Sequence, residues 1–133
     1  MTIMKAIYRG DLRTEATHLK SGVKLFTDAP VDNQGKGESF SPTDLLSVSL
    51  GSCMLTIMGI KARALSVNID GVEVQVEKKM TATAPRKVAE IIVTFNWQQK
   101  TFPSEVFQQL KEAAMTCPVA LSLHPEIKKT FVF

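Results

Sequence analysis

Sixteen consecutive residues, Leu45 to Ile60, carry no charge: LLSVSLGSCMLTIMGI. A helix that is apolar all round must be buried on all sides, so the rest of the chain has to cover it. Its start is well marked. Ser41 suits the N-cap, Pro42 the first helical position, and Asp44 three residues on completes an S-x-x-D capping box. The pattern remains helical to about Ala64, where Lys61 and Arg63 suit the negative end of the helix dipole. Ser47, Ser49, Gly51 and Ser52 are small enough to let other backbone approach closely. Covering such a helix calls for a sheet closing over it. A chain of 133 residues has difficulty doing that alone, which favours a second subunit. The charge-free run is shorter than the ~20 residues that span a bilayer, so a buried helix is expected rather than a membrane anchor.

The length is that of one domain, and it is enough to bury a core without covalent staples. Hydrophobic residues make up 44% and charged residues 22%, the balance of a folded globular chain. The formal charge of +3 is mild, and no Lys/Arg run exceeds two residues, so nucleic-acid binding has little support. The opening MTIMKAIYRGDLR lacks the apolar run and small-residue cleavage site of a signal peptide. A cytoplasmic location is therefore expected. In a reducing compartment two cysteines are more often catalytic, redox-active or metal-binding than structural.

The first third reads as strands. TIMKAIYRG and LRTEATHL are separated at Gly10-Asp11, and VKLFT follows a Ser21-Gly22 turn. DAPVDNQGKGESFS is then a loop leading to the helix. Beyond the helix, SVNIDGVEVQVEKKM alternates, with Val72, Val74 and Val76 against Glu73, Gln75 and Glu77. VAEIIVTFNW reads as its neighbouring strand. Ser104 is expected to cap a helix over EVFQQLKEAAMT, which Cys117-Pro118 ends. A short helix VALSLH and a last strand IKKTFVF follow. The order βββ–α–ββ–α–(α)–β predicts an α+β fold, an antiparallel sheet around a long central helix that bears Cys53.

Cys53 by itself reads as a small core residue, since free cysteine is among the most buried types. Cys117 alters that reading, because it lies at a helix junction where unpaired N–H groups favour a thiolate. Two cysteines so placed fit a peroxidatic and resolving pair: one thiolate attacks, and the other condenses with the resulting sulfenic acid. Arg13 and Arg9 are the candidate cations for stabilising a thiolate, and spacing does not choose between them. The nearby acids are Glu15, Glu38 and Asp44, the last already employed in the capping box. His18 and His124 form no ligand-spaced motif with the cysteines, and NQGKGE lacks the ending of a phosphate-binding loop. No metal or cofactor is expected.

SPTDLLSVSLGSCMLTIMGI, together with LKEAAMTCPVALSLHP, resembles the OsmC/Ohr family of thiol-dependent peroxidases, in particular its OsmC-like redox subgroup. The resemblance extends over nearly all of residues 1–133, read as a single OsmC-like domain. Its most specific parts are the Pro-x-x-Leu-Leu helix entry, the CPV at the second cysteine, and the 64 residues separating Cys53 from Cys117. It implies an intertwined homodimer with two sites at the subunit interface. It implies Cys53 as the peroxidatic cysteine, Cys117 as the resolving one and Arg13 as the active-site cation. The implied reaction reduces an organic hydroperoxide to its alcohol, and a dithiol, often on a lipoylated protein, restores the thiols. The family glutamate that follows the helix-entry proline is Thr43 here. The acid appears one place later as Asp44, about 100° round the helix, so Asp44 and Glu38 are the candidate acidic partners of the arginine. Leu50, Met54 and Ile57 predict an apolar lining around Cys53 that suits an alkyl tail. A non-catalytic, ligand-binding relative of the same fold is the alternative reading. A hot-dog-like thioesterase working through Asp44 is a more distant one.

Overall fold

Turn chemistry sets the layout of the first strands. In the computed structural model, which describes residue 1 and residues 3–133, β1 (Met4–Gly10) pairs antiparallel with β2 (Arg13–His18). Gly10, Asp11 and Leu12 all have positive φ, which tightens the reversal, and the register shifts between Tyr8 and Gly10. β3 (Lys24–Asp28) returns antiparallel to β2 after Gly22, whose φ of 75° only glycine adopts without cost. The three strands form a sheet in the order β1-β2-β3. They belong to a unit that spans Met1–Leu46. Its loop folds back at Gly35, where an added Cβ would lie 1.8 Å from the Ala29 carbonyl oxygen, so only glycine fits.

The long helix α1 runs from Pro42 to Ala64. Its capping box closes reciprocally: Ser41 N–H donates to Asp44 Oδ2 at 2.9 Å, and Asp44 N–H donates to Ser41 Oγ at 3.0 Å. At 23 residues it is longer than its charge-free core, and long and apolar enough to cross a membrane by those two criteria. The core helix of a soluble protein meets them equally. The expectation of burial on all sides is corrected within the chain. Only Ser47, Leu50, Gly51, Met54, Met58 and Ala62 are buried, one stripe at three- and four-residue intervals, and Ile60 remains 63% exposed.

The second unit spans Ser47–Phe133. The α1 stripe packs there with Val88, Ile91, Val93 and Phe95 of β5 (Val88–Asn96) and with Leu110 and Ala114 of α2 (Ser104–Ala114). At Gly51 an added Cβ would come within 2.9 Å of the Val74 and Val76 methyls, so glycine sets how closely β4 (Glu73–Met80) lies to the helix. The β4 alternation appears as expected, exposed and half-buried by turns. β4 and β5 are antiparallel. The last strand, β6 (Lys128–Val132), departs from the expected antiparallel sheet by lying parallel to β5. The reason is the connection: α2 and the short α3 (Pro118–Ser122) carry the chain back before it re-enters the sheet. Ser104 is a second correction. It is the first residue of α2 rather than its cap, because Pro103, extended at ψ 146°, holds the N-cap position and its carbonyl accepts Phe107 N–H at 3.0 Å.

Candidate functional site

Each unit carries one part of the chemistry. In Met1–Leu46, Arg13 opens β2 directly opposite Asp28, the last residue of β3. Residues facing each other across strands bring their side chains together, and here they form a fork. Arg13 Nε donates to Asp28 Oδ1 at 2.7 Å and Nη2 to Asp28 Oδ2 at 2.8 Å. Nη2 also donates to Glu38 Oε2 at 3.0 Å. The Asp28 side chain is fully buried, whereas Glu38 is 66% exposed. Asp28 Oδ2 also accepts Glu38 N–H at 3.2 Å. The hydrogen bonds to Asp28, then those to Glu38, raise the Arg13 pKa and hold it as a cation. Conversely, Arg13 keeps the Asp28 carboxyl below the usual carboxylate range, although burial acts the other way.

Arg9 is committed elsewhere. Its Nε and Nη2 donate to Glu15 Oε2 at 3.2 and 3.0 Å, and Lys24 Nζ lies 3.0 Å from Glu15 Oε1. Lys24, then Arg9, lower the Glu15 pKa. The two arginines thus have separate partners, and only Arg13 engages Glu38. Asp44, the other acid considered, accepts the Ser41 N–H in the capping box, and Thr43 Oγ1 lies 3.2 Å from Ser41 Oγ.

In Ser47–Phe133, Cys53 lies half-buried on α1 and Cys117 is completely buried; both are free thiols. Cys117 is the N-cap of α3, with Pro118 at its first position. Its sulfur accepts the Ala120 N–H at 3.5 Å and lies 4.0 Å from the Leu50 carbonyl oxygen. Burial first, and a hydrogen bond to Cys53 second, push the Cys117 pKa up from 9.0, so the thiol stays protonated at neutral pH. Leu50 is three residues before Cys53 on α1, so Cys117 packs against the helical turn that bears Cys53, 64 residues away in sequence. Leu50 and Met54 on the same helix are fully buried and make this an apolar neighbourhood.

Asp28 is the residue that sequence reasoning missed, because it was assigned to the loop DAPVDN. The observed register is centred on Lys20-Ser21, one residue before the Ser21-Gly22 turn signal, and only from that centre does position 28 fall opposite position 13. His18 bonds Ser21, and His124 Nδ1 accepts the Glu126 N–H at 3.1 Å. Among the described residues, no three His, Cys, Asp or Glu groups cluster as metal ligands would.

An α+β chain with one thiol on a long apolar helix and a second packed against that helix belongs to a narrow class, and comparison gives the family. Residues 35–131 match the OsmC-like protein family, and the chain belongs to it. A Psychrobacter arcticus protein, named for osmotic stress induction and a detoxification response, is 51% identical. Its crystal structure superimposes with a TM-score of 0.89 over 99% of this chain and 95% of that one. A Legionella pneumophila organic hydroperoxide resistance protein shares the fold at 16% identity, TM-score 0.72, covering 99% and 95% of the two chains. One from Elizabethkingia anophelis, with thiocyanate bound, does so at 10% identity, TM-score 0.72, covering 99% and 94%. A search of curated protein sequences gives no match.

Proposed function

We propose that this protein is a thiol-dependent peroxidase that reduces organic hydroperoxides through a Cys53–Cys117 disulfide. The observation that carries the reading is a fully buried Cys117 packed against the α1 turn that bears the partly accessible Cys53, its sulfur 4.0 Å from the Leu50 carbonyl oxygen. The Cys53 thiolate attacks the terminal oxygen of ROOH. The O–O bond breaks, Cys53 becomes a sulfenic acid, and the departing alkoxide takes up a proton to give ROH. Cys117 then attacks the sulfenic sulfur, an S–S bond forms, and its proton leaves with the hydroxyl as water. A dithiol, such as one carried on a lipoylated protein, restores both thiols by exchange. Arg13 is the cation that would orient the peroxide and stabilise the thiolate. Leu50 and Met54 favour a substrate with an alkyl tail.

The same reading takes residues 1–133 as one OsmC-like domain that works in the cytoplasm as an intertwined homodimer. Support for the dimer comes from apolar surface left uncovered. On β1 and β3, Met4, Ile7, Tyr8, Leu25 and Phe26 are all exposed, as is Ile60 on α1. Apolar side chains exposed on both faces of a sheet are surface that a partner would bury.

Mass spectrometry after one equivalent of tert-butyl hydroperoxide tests the chemistry. The expected result is a loss of about two mass units, mapped to a Cys53–Cys117 link, with Cys53→Ser slower by roughly 10³-fold or more. Peroxide consumption by Cys53→Ser at the parent rate would sink the assignment and leave a ligand-binding protein.

A further inference from the structure

Among OsmC/Ohr peroxidases the resemblance leads one to expect an acid on the helix entry; here that place is Thr43, whose hydroxyl lies beside Ser41. The carboxylate that grips Arg13 comes instead from a strand end. We propose that Asp28 is the fixed positioning residue of Arg13 and that Glu38 is its exchangeable second arm, so that the guanidinium is held from the sheet and not from the helix. The importance of Arg13 to the reaction rests on the function proposed above; the positioning itself rests on the sheet.

Four observations support this. The antiparallel register places Arg13 and Asp28 opposite each other without any help from the loop. The contact is bidentate at 2.7 and 2.8 Å, a geometry that fixes the plane of a guanidinium as well as its location. Asp28 is fully buried, so water does not compete for its oxygens, while the exposed Glu38 makes a single bond that solvent or an incoming ligand can replace. Asp28 also takes the Glu38 N–H, so one carboxylate anchors both the arginine and the loop that supplies the second arm.

The arrangement has a chemical consequence. Asp28 and Glu38 occupy the Nε and Nη2 donors, and the Nη1 amine is the part of the guanidinium they leave unused. Two carboxylates against one cation leave the group with a net negative charge. Arg13 therefore offers two oriented N–H donors rather than a long-range positive field, and the plane in which those donors point is set by Asp28. Losing the fork would misdirect them without removing the charge.

The test compares Asp28→Asn, Glu38→Gln, Arg13→Ala and the Asp28→Asn/Arg13→Ala double variant. In the parent protein the Arg13 Nε–H is expected to exchange slowly by NMR. It should remain slow in Glu38→Gln and become fast in Asp28→Asn. Equal protection in Asp28→Asn overturns the proposal whether or not the protein reduces peroxide. The second readout is the rate of Cys53 oxidation by tert-butyl hydroperoxide. Asp28→Asn should lose about 10- to 100-fold, as supporting residues around a reactive group do, and Glu38→Gln less. In the Arg13→Ala background, Asp28→Asn should cause no further loss; independent, multiplicative losses overturn the proposal. If the parent is inert to hydroperoxide, or Arg13→Ala reacts as fast, the function reading fails and the Nε–H measurement still decides the role of Asp28. Should Asp28→Asn not fold, Arg13→Lys keeps the charge but not the fork. It should show a comparable loss, and a parent-like rate in it overturns the proposal.

Discussion

The two units bury opposite kinds of residue. In Ser47–Phe133 the buried side chains are almost all apolar: Leu50, Met54 and Met58 of α1, Ile91 and Val93 of β5, Leu110 of α2. Among the described residues of Met1–Leu46 every buried one is polar: Glu15, Thr17, Thr27, Asp28 and Ser41. The apolar residues of that unit, Tyr8 at 65% exposure among them, lie on its surface. Ordinary hydrophobic burial accounts for the second unit. The first is organised by charge-assisted hydrogen bonds, and a three-stranded sheet needs an apolar face covered to be stable. The lesson is that this chain keeps the Cys117 thiol where water is excluded and its guanidinium where acids can orient it, two environments that a single core would not provide.

The comparison can be broken or sharpened by experiment. Met54→Ala removes a fully buried side chain from the apolar core and should cost about 2–5 kcal/mol by denaturant titration; a cost below 1 kcal/mol would mean that core is loosely packed. Gly51→Val pushes methyls into Val74 and Val76 and should cost about 1–3 kcal/mol. If a second copy covers the exposed sheet, Leu25→Asp should weaken self-association by about 2 kcal/mol, read as dimer-to-monomer conversion in sedimentation. An unchanged sedimentation coefficient would assign that face to solvent.

Two further predictions are pH limbs of opposite sign. The Asp28 pKa is lower folded than unfolded, so its contribution is present above the ordinary value of 3.8 and is lost as pH falls below it towards the folded value. Asp28→Asn should flatten that acid limb in thermal melts. The Cys117 pKa is higher folded than unfolded, so its contribution is complete below 9.0 and is lost as pH rises past that value through the folded one. Cys117→Ala should flatten the alkaline limb. Iodoacetamide should label Cys53 but leave the buried Cys117 unlabelled at neutral pH, and equal labelling of the two would contradict the burial of Cys117.

Much of this was legible in the chain. The α1 start followed from Ser41, Pro42 and Asp44, because a capping box is a local hydrogen-bonding pattern. The strand order and the β4 alternation followed from turns and periodicity, which are also local. The parallel β6 was not legible: seven residues ending in TFVF read the same whichever way their neighbour runs. Nor was the single buried stripe on α1, since a charge-free sequence does not mark which side meets the sheet. Glu38 was among the candidate acids, but Asp28, the one directly opposite Arg13, looked like the first residue of a loop.

By itself the sequence determined the elements, their order, and one thiol within the long helix and one at a helix junction, because caps, turns and periodicity act over a few residues. Tertiary structure decided the pairings. Cys117 packs against the α1 turn that bears Cys53, 64 residues away in sequence, and Arg13 meets Asp28 across a hairpin, because strand register and core packing, not proximity in the chain, set which side chains share a space. Those surroundings then settled the charge states: burial keeps Cys117 a thiol, and Arg13 keeps Asp28 a carboxylate against the effect of burial.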